Sequence, residues 1–474
     1  VFTHARQNPD ALAICNPDSE MTYAELWQAV VNAAAELSAR RVNPGDRVVL
    51  EAASEPEFLI LYLACHALSA VAVPISRELL EKPLPDELEP TLVLRWEDML
   101  NFTGEGGECI IESWASLDDV ADILFTTGTV GKPKGVMLSH RNISASARNI
   151  NETIAITSDD REVVPLPLSH SFGLGRVRCC LTAGAAIALV PGFRSPGAVI
   201  QMINAVDATG FATVPAGMAI LLRLFGDKLS GLVGSLKYVE LGSSPMPRDH
   251  KMQMLDSFPD ARLFMHYGLT EASRSAFIEF HTDTAQLESA GRATPNVEIW
   301  IVDDAGAPVG VNELGRIAIR GEHVSLRYLG EESKENRDVA TDCLITEDIG
   351  RLDDNGYLHI VGRADEMINT GGLKFAPDEI EFELRKIDEI SDAACVSVSD
   401  PKQVTGEMIW AFLVPSGSQR PVDSEISGSL ARVLPHYKVP AVLEWVKKLP
   451  RTASGKLQRS QLRSLALSKR YKTK

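Results

Sequence analysis

The sequence predicts an α/β protein, with a large N-terminal domain of layered α/β sheets, a β-rich subdomain and a small α+β C-terminal domain, and three observations carry that expectation. Strand-like and helix-like runs alternate early in the chain, as in NPGDRVVLEA followed by FLILYLACHALSAVAVPI. That rhythm builds a largely parallel sheet covered on both faces. From Val297 the texture changes to short β-rich runs broken by turns, VEIWIVDDAGAPVGVNELGRIAIRG, which fits a small antiparallel subdomain. Past Gly362 it changes again, to strands ACVSVSD and WAFLVP mixed with helices PDEIEFELRKI and SEISGSLARVL, enough for a separate small domain. At 474 residues the chain also exceeds the size at which a single core stops growing.

Composition narrows the function. Hydrophobic residues make up 45% and charged residues 23%, the balance of a globular protein that can bury a large core. The formal charge is −17, from 47 basic and 64 acidic residues, which argues against a nucleic-acid or anionic-membrane partner. A polyanionic substrate must then be received by local positive features. Seven cysteines without a CxxC pair, with Cys179 and Cys180 adjacent, give neither a disulfide framework nor a zinc site, so reduced thiols and a cytoplasmic location are expected. No apolar run approaches the ~18 residues of a membrane span, and no basic-then-apolar signal opens the chain. It begins on Val, which suggests a native start further upstream.

In chain order, MTYAELWQAVVNAAAELSAR places Leu26, Trp27, Val30 and Ala34 at helical spacing behind Thr22, an N-cap with Glu25 three residues on. His66, on an apolar helix, reads as a core histidine. The strand-like ADILF leads into Thr126–Gly135, TTGTVGKPKG, and GVMLSHRNISASARNI is read as continuing into a helix. Glycine lets backbone amides face an anion, hydroxyls add donors and lysine adds charge, so the loop suits a polyphosphate, although a surface turn tolerates the same residues. Its spacing differs from the nucleotide P-loop, because Pro133 follows Lys132. Apolar runs around SHSFG put His170 at the end of a strand, where ligand sites of α/β sheets collect. In MHYGLTEASRSAF an aromatic beside glycine offers a flat surface to a planar ring, and Glu271 in a turn offers a hard oxygen to a divalent cation. Asn355-Gly356 reads as a hairpin turn.

These stretches together resemble the motifs of the adenylate-forming superfamily, the AMP-binding enzymes that include acyl-CoA and aryl-CoA synthetases, peptide-synthetase adenylation domains and firefly luciferase. The likeness spans nearly the whole chain, with TTGTVGKPKG, PLSH, YGLTE, the aspartate ahead of GRADE and PRTASGK in the family's order. It implies that Thr126, Thr127, Gly128, Thr129, Gly131 and Lys134 cradle phosphates of ATP, with Gly242, Ser243 and Ser244 in the GSSP turn also at the nucleotide. By the same resemblance Tyr267 and Gly268 lie at adenine, Thr270 contacts the α-phosphate, Glu271 binds magnesium, and His170 stands beside the carboxylate to be activated. Asp348 accepts the ribose hydroxyls, Arg363 joins it, Asp365 is the hinge, and Lys456 is the lysine that meets carboxylate and α-phosphate. The implied domains are residues 1–362 for adenylation, a hinge at 363–365, and a mobile domain at 366–474. Gly371 and Gly372 would line a tunnel for a pantetheine thiol, or form a turn before the helix at Pro377; both readings are compatible.

The implied reaction converts a carboxylic acid and ATP to acyl-AMP and pyrophosphate, then transfers the acyl group to CoA. The alternatives are an adenylation domain that loads the phosphopantetheine of a carrier protein, and a degenerate nucleotide-binding protein. Some positions depart from the pattern. Thr127 and Val130 replace Ser and Thr, and loss of one hydrogen bond to a charged phosphate costs about 1.5–3 kcal/mol, so weaker ATP binding or slower adenylation is expected. Glu347 replaces a glycine and Asn369 a lysine common in the family. SHSFGLG lacks the aspartate that holds an α-ammonium group, which argues for an acid without an amine. By alignment with the coumarate:CoA ligase pattern, Phe172 and Arg176 fall on one wall of the acyl pocket and Arg274 and Ser275 on the other. The two arginines either bind a second anionic group, as in a dicarboxylate, or pair with acidic neighbours.

Overall fold

Two sheets with helices packed between them make up the larger part of the molecule. The computed structural model describes residues 1–102, 115–126, 133–193, 195–331, 337–338, 343–370, 373–399, 407–417, 420–452 and 457–470. A six-stranded sheet runs, in spatial order, through Arg327–Tyr328, Lys134–Ser139, Val120–Thr126, Val71–Ile75, Arg47–Glu51 and Leu92–Leu94. A nine-stranded sheet has at its centre the parallel strands Arg262–Tyr267, Tyr238–Leu241, Gly210–Thr213, Arg161–Val164 and Ala186–Leu189. Alternation along the strands feeds two cores at once: Val48 and Leu50 join the central core, while Val49 faces the opposite side with Val71 and Val73. The central core also takes Leu26, Phe58, Leu59 and Val177 from helices Tyr23–Ala39, Pro56–Ala67 and Ser171–Ala183, and a further core with Val163, Phe211 and Met218 covers the far face of the nine-stranded sheet. Burying one such Leu or Phe contributes roughly 1.5–3 kcal/mol.

Local rules set the element ends. Thr22 caps Tyr23–Ala39 with a capping box: its hydroxyl accepts from the Glu25 amide at 3.2 Å, and Glu25 accepts from the Thr22 amide at 2.8 Å. Two readings need correction. Lys134–Ser139 is a strand, antiparallel to Val120–Thr126, and the helix begins only at His140. The buried Val136, Met137 and Leu138 gain more from sheet pairing than a longer helix would offer. Thr126 and Lys134, on either side of the glycine-rich residues, are therefore partners in two paired strands. His170, too, is not at a strand end: Arg161–Val164 stops before Pro165 and Pro167, which cannot donate to the ladder, and His170 is the N-cap residue of Ser171–Ala183.

A five-stranded antiparallel sheet of Glu298–Val302, Gly315–Arg320, Cys343–Leu352, Arg337–Asp338 and Leu358–Arg363 forms the β-rich part, with Gly356 at φ +76° in the turn at Asn355-Gly356. The C-terminal part has strands Ile390–Ser399, Glu407–Pro415 and Val442–Trp445 with helices Pro377–Arg385, Asp423–Val433 and Arg459–Arg470. Arg459 staples it together. Its guanidinium pairs with Glu366 at 2.9 Å, Asp378 at 2.7 Å and the carboxylate of Glu381, and donates to the Cys395 carbonyl at 2.9 Å. Among the described residues, no helix is long and apolar enough to cross a membrane.

Candidate active site

The site is assembled where the three large sheets meet, around the hairpin loop between Arg262–Tyr267 and Ala276–Glu279. This loop closes on itself: the Leu269 amide donates to the Ala272 carbonyl at 3.0 Å and the Ala272 amide returns a bond at 3.2 Å. Gly268 is required there, because a Cβ would stand 2.3 Å from the Arg274 nitrogen and 2.8 Å from the Ala272 carbonyl. The result is a tight projection carrying Thr270 and Glu271. It is held from the side by the Ser325 amide, which donates to the Glu271 carbonyl at 2.8 Å.

Three predicted nucleotide residues meet on the β-rich side. The Tyr267 hydroxyl donates to Asp348 at 2.7 Å, and Arg363 Nη1 reaches the other Asp348 oxygen at 3.3 Å. Burial, and then the Asp348 charge, pushes the Tyr267 phenol well above its usual value, so it remains a donor. Arg363 also donates through Nε to the exposed Asp365 at 2.9 Å, which links the carboxylate to the turn that follows the strand. Glu347, the departure next to Asp348, is neutralised by Arg316 at 2.7 Å.

On the opposite side Glu271 accepts from the Tyr328 hydroxyl at 2.6 Å, and the Lys134 ammonium lies 4.7 Å from the centre of the same ring. Tyr328 thus joins the strand that follows the glycine-rich connection to the loop. Thr126 pairs with Lys134 across the hairpin. Thr127, Gly128, Thr129, Val130 and Gly131 lie outside the described residues, as do Gly371, Gly372 and Lys456. Among the described residues no cluster of three or more His, Cys, Asp or Glu side chains could hold a metal by itself. One oriented carboxylate fits magnesium all the same, since that ion commonly takes one or two protein carboxylates and completes its shell with phosphate and water oxygens.

A cavity of about 20 Å³, room for about one water molecule, opens beside Thr270. Ser171, Gly175 and Arg178 line it along one face of their helix, facing Thr270 and Ser273. The residues placed at the acyl pocket by alignment are differently disposed. Arg176 is fully buried on another face of that helix, paired with the Glu162 carboxylate and with Glu240 at 2.6 Å. Arg274 is buried against Glu240 at 3.0 Å and donates to the carbonyls of Ser171 at 3.1 Å and Phe172 at 2.9 Å. Two arginines and two glutamates cancel, so neither arginine offers an unpaired charge to a second carboxylate. Phe172 packs edge-on to His266 and under Arg274. The Ser275 hydroxyl donates to the Ala272 carbonyl at 3.0 Å and lies 2.9 Å from His323, bracing the loop.

Behind the loop, Ser243 adopts φ +76° in the Gly242–Ser244 turn, and Gly242 is obligatory because a Cβ would meet the His266 ring at 2.0 Å. The family model of the AMP-binding enzyme covers residues 1–89 and 91–329, and that of the AMP-binding enzyme C-terminal domain covers 379–456. The chain belongs to the AMP-binding enzyme family. Among its relatives is a feruloyl-CoA synthase of Amycolatopsis sp, 30% identical over 489 residues, covering 97% of this chain and 96% of that protein. The o-succinylbenzoate CoA synthetase (MenE) of Bacillus subtilis in complex with its acyl-adenylate intermediate superposes with a TM-score of 0.86 at 27% identity, over 97% of each chain. ATP-bound MatB from Rhodopseudomonas palustris superposes with a TM-score of 0.88 at 25% identity, over 97% of this chain and 98% of that one.

Within this AMP-binding enzyme, sequence reasoning missed Tyr328, Arg178 and Glu240. Tyr328 sits in an unremarkable SLRYLG run, and Arg178 lies only two residues from the arginine that was singled out. The i, i+4, i+7 spacing of Ser171, Gly175 and Arg178 is the signal that could have found the cavity face of the helix.

Proposed function

We infer that this enzyme is an AMP-forming acid–thiol ligase: it activates a carboxylic acid with ATP, releases pyrophosphate, and passes the acyl group to CoA. The observation that carries the reading is the joining of Tyr267, Asp348 and Arg363 to Glu271, Tyr328 and Lys134 through one closed loop, in a chain of the AMP-binding family. In the first step a carboxylate oxygen of the acid attacks the α-phosphorus, the bond to the β-phosphate oxygen breaks, and pyrophosphate departs. In the second the CoA sulfur, having lost its proton, attacks the acyl carbonyl and AMP leaves.

We assign the residues as follows. Asp348 accepts the ribose hydroxyls while Tyr267 and Arg363 hold it in place. Thr270, at the tip of the closed loop, donates to the α-phosphate, and Lys134 and the glycine-rich stretch Thr126–Gly131 face the departing phosphates. His170, at a helix start, borders the carboxylate. Glu271 would hold magnesium, which, when bound, offsets phosphate charge. Lys456 donates to the carboxylate and α-phosphate oxygens, where it stabilises charge building between them. Residues 363–365 form the hinge, centred on Asp365, between an adenylation domain at 1–362 and a smaller mobile domain at 366–474, in which Gly371 and Gly372 accompany the thiol. The enzyme works in the cytoplasm, where ATP, CoA and reduced thiols coexist.

The test is acid-dependent exchange of labelled pyrophosphate into ATP. Wild type exchanges with at least one acid and forms acyl-CoA when CoA is added; Lys456→Ala lowers exchange by roughly 10²–10³-fold, the cost of removing one preorganised donor. Bound ATP without exchange for any acid, or an unaltered rate in Lys456→Ala, refutes the assignment.

A further inference from the structure

The run from Val324 to Tyr328 crosses from the closed loop to the sheet that carries Lys134. At the loop, Val324 forms an antiparallel bridge with Ala272, and the Ser325 amide donates to the Glu271 carbonyl. Further on the run becomes an edge strand of the six-stranded sheet. Arg327 and Tyr328 pair with Met137 and Val136, the Leu326 amide donates to the Met137 carbonyl at 3.0 Å, and the Leu329 amide to the Gly135 carbonyl at 2.7 Å. Backbone bonds on both sides therefore fix where the Tyr328 ring starts. Glu271 is held twice by this run: Ser325 takes its carbonyl, and the Tyr328 hydroxyl takes Oε1 of its carboxylate at 2.6 Å. Among the described residues no other donor reaches that carboxylate. Burial, and then the Glu271 charge, pushes the Tyr328 phenol well above its usual value, so the proton stays on the tyrosine as the donor. The face of the same ring lies 4.7 Å from the Lys134 ammonium, within the range of a cation–π contact.

We propose that Tyr328 is a positioning residue for metal use: its hydroxyl holds Glu271 so that the other carboxylate oxygen is left for magnesium, and its ring steadies the phosphate-facing Lys134. The inference deepens the ligase reading and rests on it. A glutamate side chain that is already ordered loses less rotamer freedom when a cation arrives, and a hydrogen bond to a metal-binding carboxylate is commonly worth about 10–100-fold in metal affinity. The two contacts use different parts of the tyrosine and can be removed separately. Phenylalanine keeps the ring under Lys134 and frees the carboxylate; leucine loses both.

The experiment measures two affinities in the full chain: Mn2+ for the enzyme–ATP complex, from loss of the free-ion electron paramagnetic resonance signal, and ATP alone in EDTA, by titration calorimetry. Tyr328→Phe is expected to weaken Mn2+ binding about tenfold and to leave ATP affinity in EDTA as it was. Tyr328→Leu should weaken Mn2+ binding as much and also raise the Kd for ATP in EDTA by roughly two- to fivefold, the cation–π share. In a Glu271→Gln background, where Mn2+ still meets the phosphates of bound ATP, Tyr328→Phe should change Mn2+ affinity no further. The proposal is overturned if Tyr328→Phe binds Mn2+ as wild type does, or if it loses as much in the Glu271→Gln background. It is overturned equally if ATP binding in EDTA falls in step with Mn2+ binding in Tyr328→Phe, since the tyrosine would then only prop the fold. Those outcomes sink this proposal alone. A wild type that binds no ATP, or a Glu271→Gln variant with wild-type Mn2+ affinity, sinks the site assignment of the ligase reading and this proposal with it.

Discussion

Glu240→Ala tests whether the buried charge network holds the site together. Glu240 is fully buried and shares its carboxylate among Arg176 Nη1 at 2.6 Å, Arg274 Nε at 3.0 Å and His266 Nδ1 at 2.6 Å. Without it Arg176 still has Glu162, but Arg274 keeps only carbonyl acceptors and the serine hydroxyl beside it, so one positive charge is stranded in the core. Breaking a buried pair in this way costs about 3–5 kcal/mol. That is a large share of a typical folding free energy and, at ~2.1 cal/mol/K of unfolding entropy per residue over roughly 360 residues, corresponds to a drop in melting temperature of roughly 4–7 °C. Removing both partners, as in Glu240→Leu with Arg274→Leu, restores neutrality and recovers most of the loss.

Acidity gives a second handle on the same group. Burial would raise the Glu240 carboxyl, yet Arg176 and Arg274, with His266, depress it well below the usual carboxylate range. A folded pKa below the unfolded value gives stability that is present above the unfolded pKa of about 4.3 and is lost as pH falls toward the folded one. Glu240→Gln removes this part of the acid sensitivity. Calorimetric melts from pH 3 to pH 7 compare the four proteins. A Glu240→Ala midpoint within a degree or two of wild type, or a double variant less stable than the single one, would refute the reasoning.

Tyr267→Phe removes a hydrogen bond to a carboxylate and should weaken ATP binding by about 1.5–3 kcal/mol, read by titration calorimetry, with unaltered affinity as the contrary result. Burial lowers His323 from about 6.5 to about 4, so its contribution to stability is complete above pH 6.5 and declines as pH falls toward 4. His323→Gln should therefore flatten the stability profile in that window by roughly 3 kcal/mol, measured by denaturant midpoints. Val130→Thr restores a hydroxyl to the phosphate stretch and should lower KM for ATP by up to roughly tenfold, one added hydrogen bond; an unchanged KM would show that Val130 carries no penalty.

What was legible in the sequence was chemistry confined to short windows. The Thr22–Glu25 capping box, the Asn355-Gly356 turn and the YGLTE loop each depend on neighbours within a few residues, and the fold places them as read. The likeness to AMP-binding enzymes likewise rested on such windows in a fixed order. Contacts set by sheet register escaped. Arg176 meets Glu162 and Glu240 only because two parallel strands of one sheet, with Gly210–Thr213 between them, bring both carboxylates under one helix, so the alignment that put it at a pocket wall had no access to its partners. Tyr328 finds Glu271 across separate sheets, and Val136–Leu138 became a strand because Val120–Thr126 was available to pair with it. In each case a partner distant in sequence decided the outcome.

Arg459 bears on how the C-terminal lysine can travel. It stands three residues beyond Lys456 and is clamped by Glu366, Asp378 and Glu381, carboxylates drawn from the turn after Arg363 and from the helix Pro377–Arg385. Releasing that grip would cost several kcal/mol, far more than swinging a chain segment through solvent. The base of the lysine-bearing stretch is therefore bolted to the same block that begins at Glu366. On the proposed reading, in which Lys456 acts at the nucleotide, the clamp works as a gear: withdrawing the lysine calls for the whole block to turn.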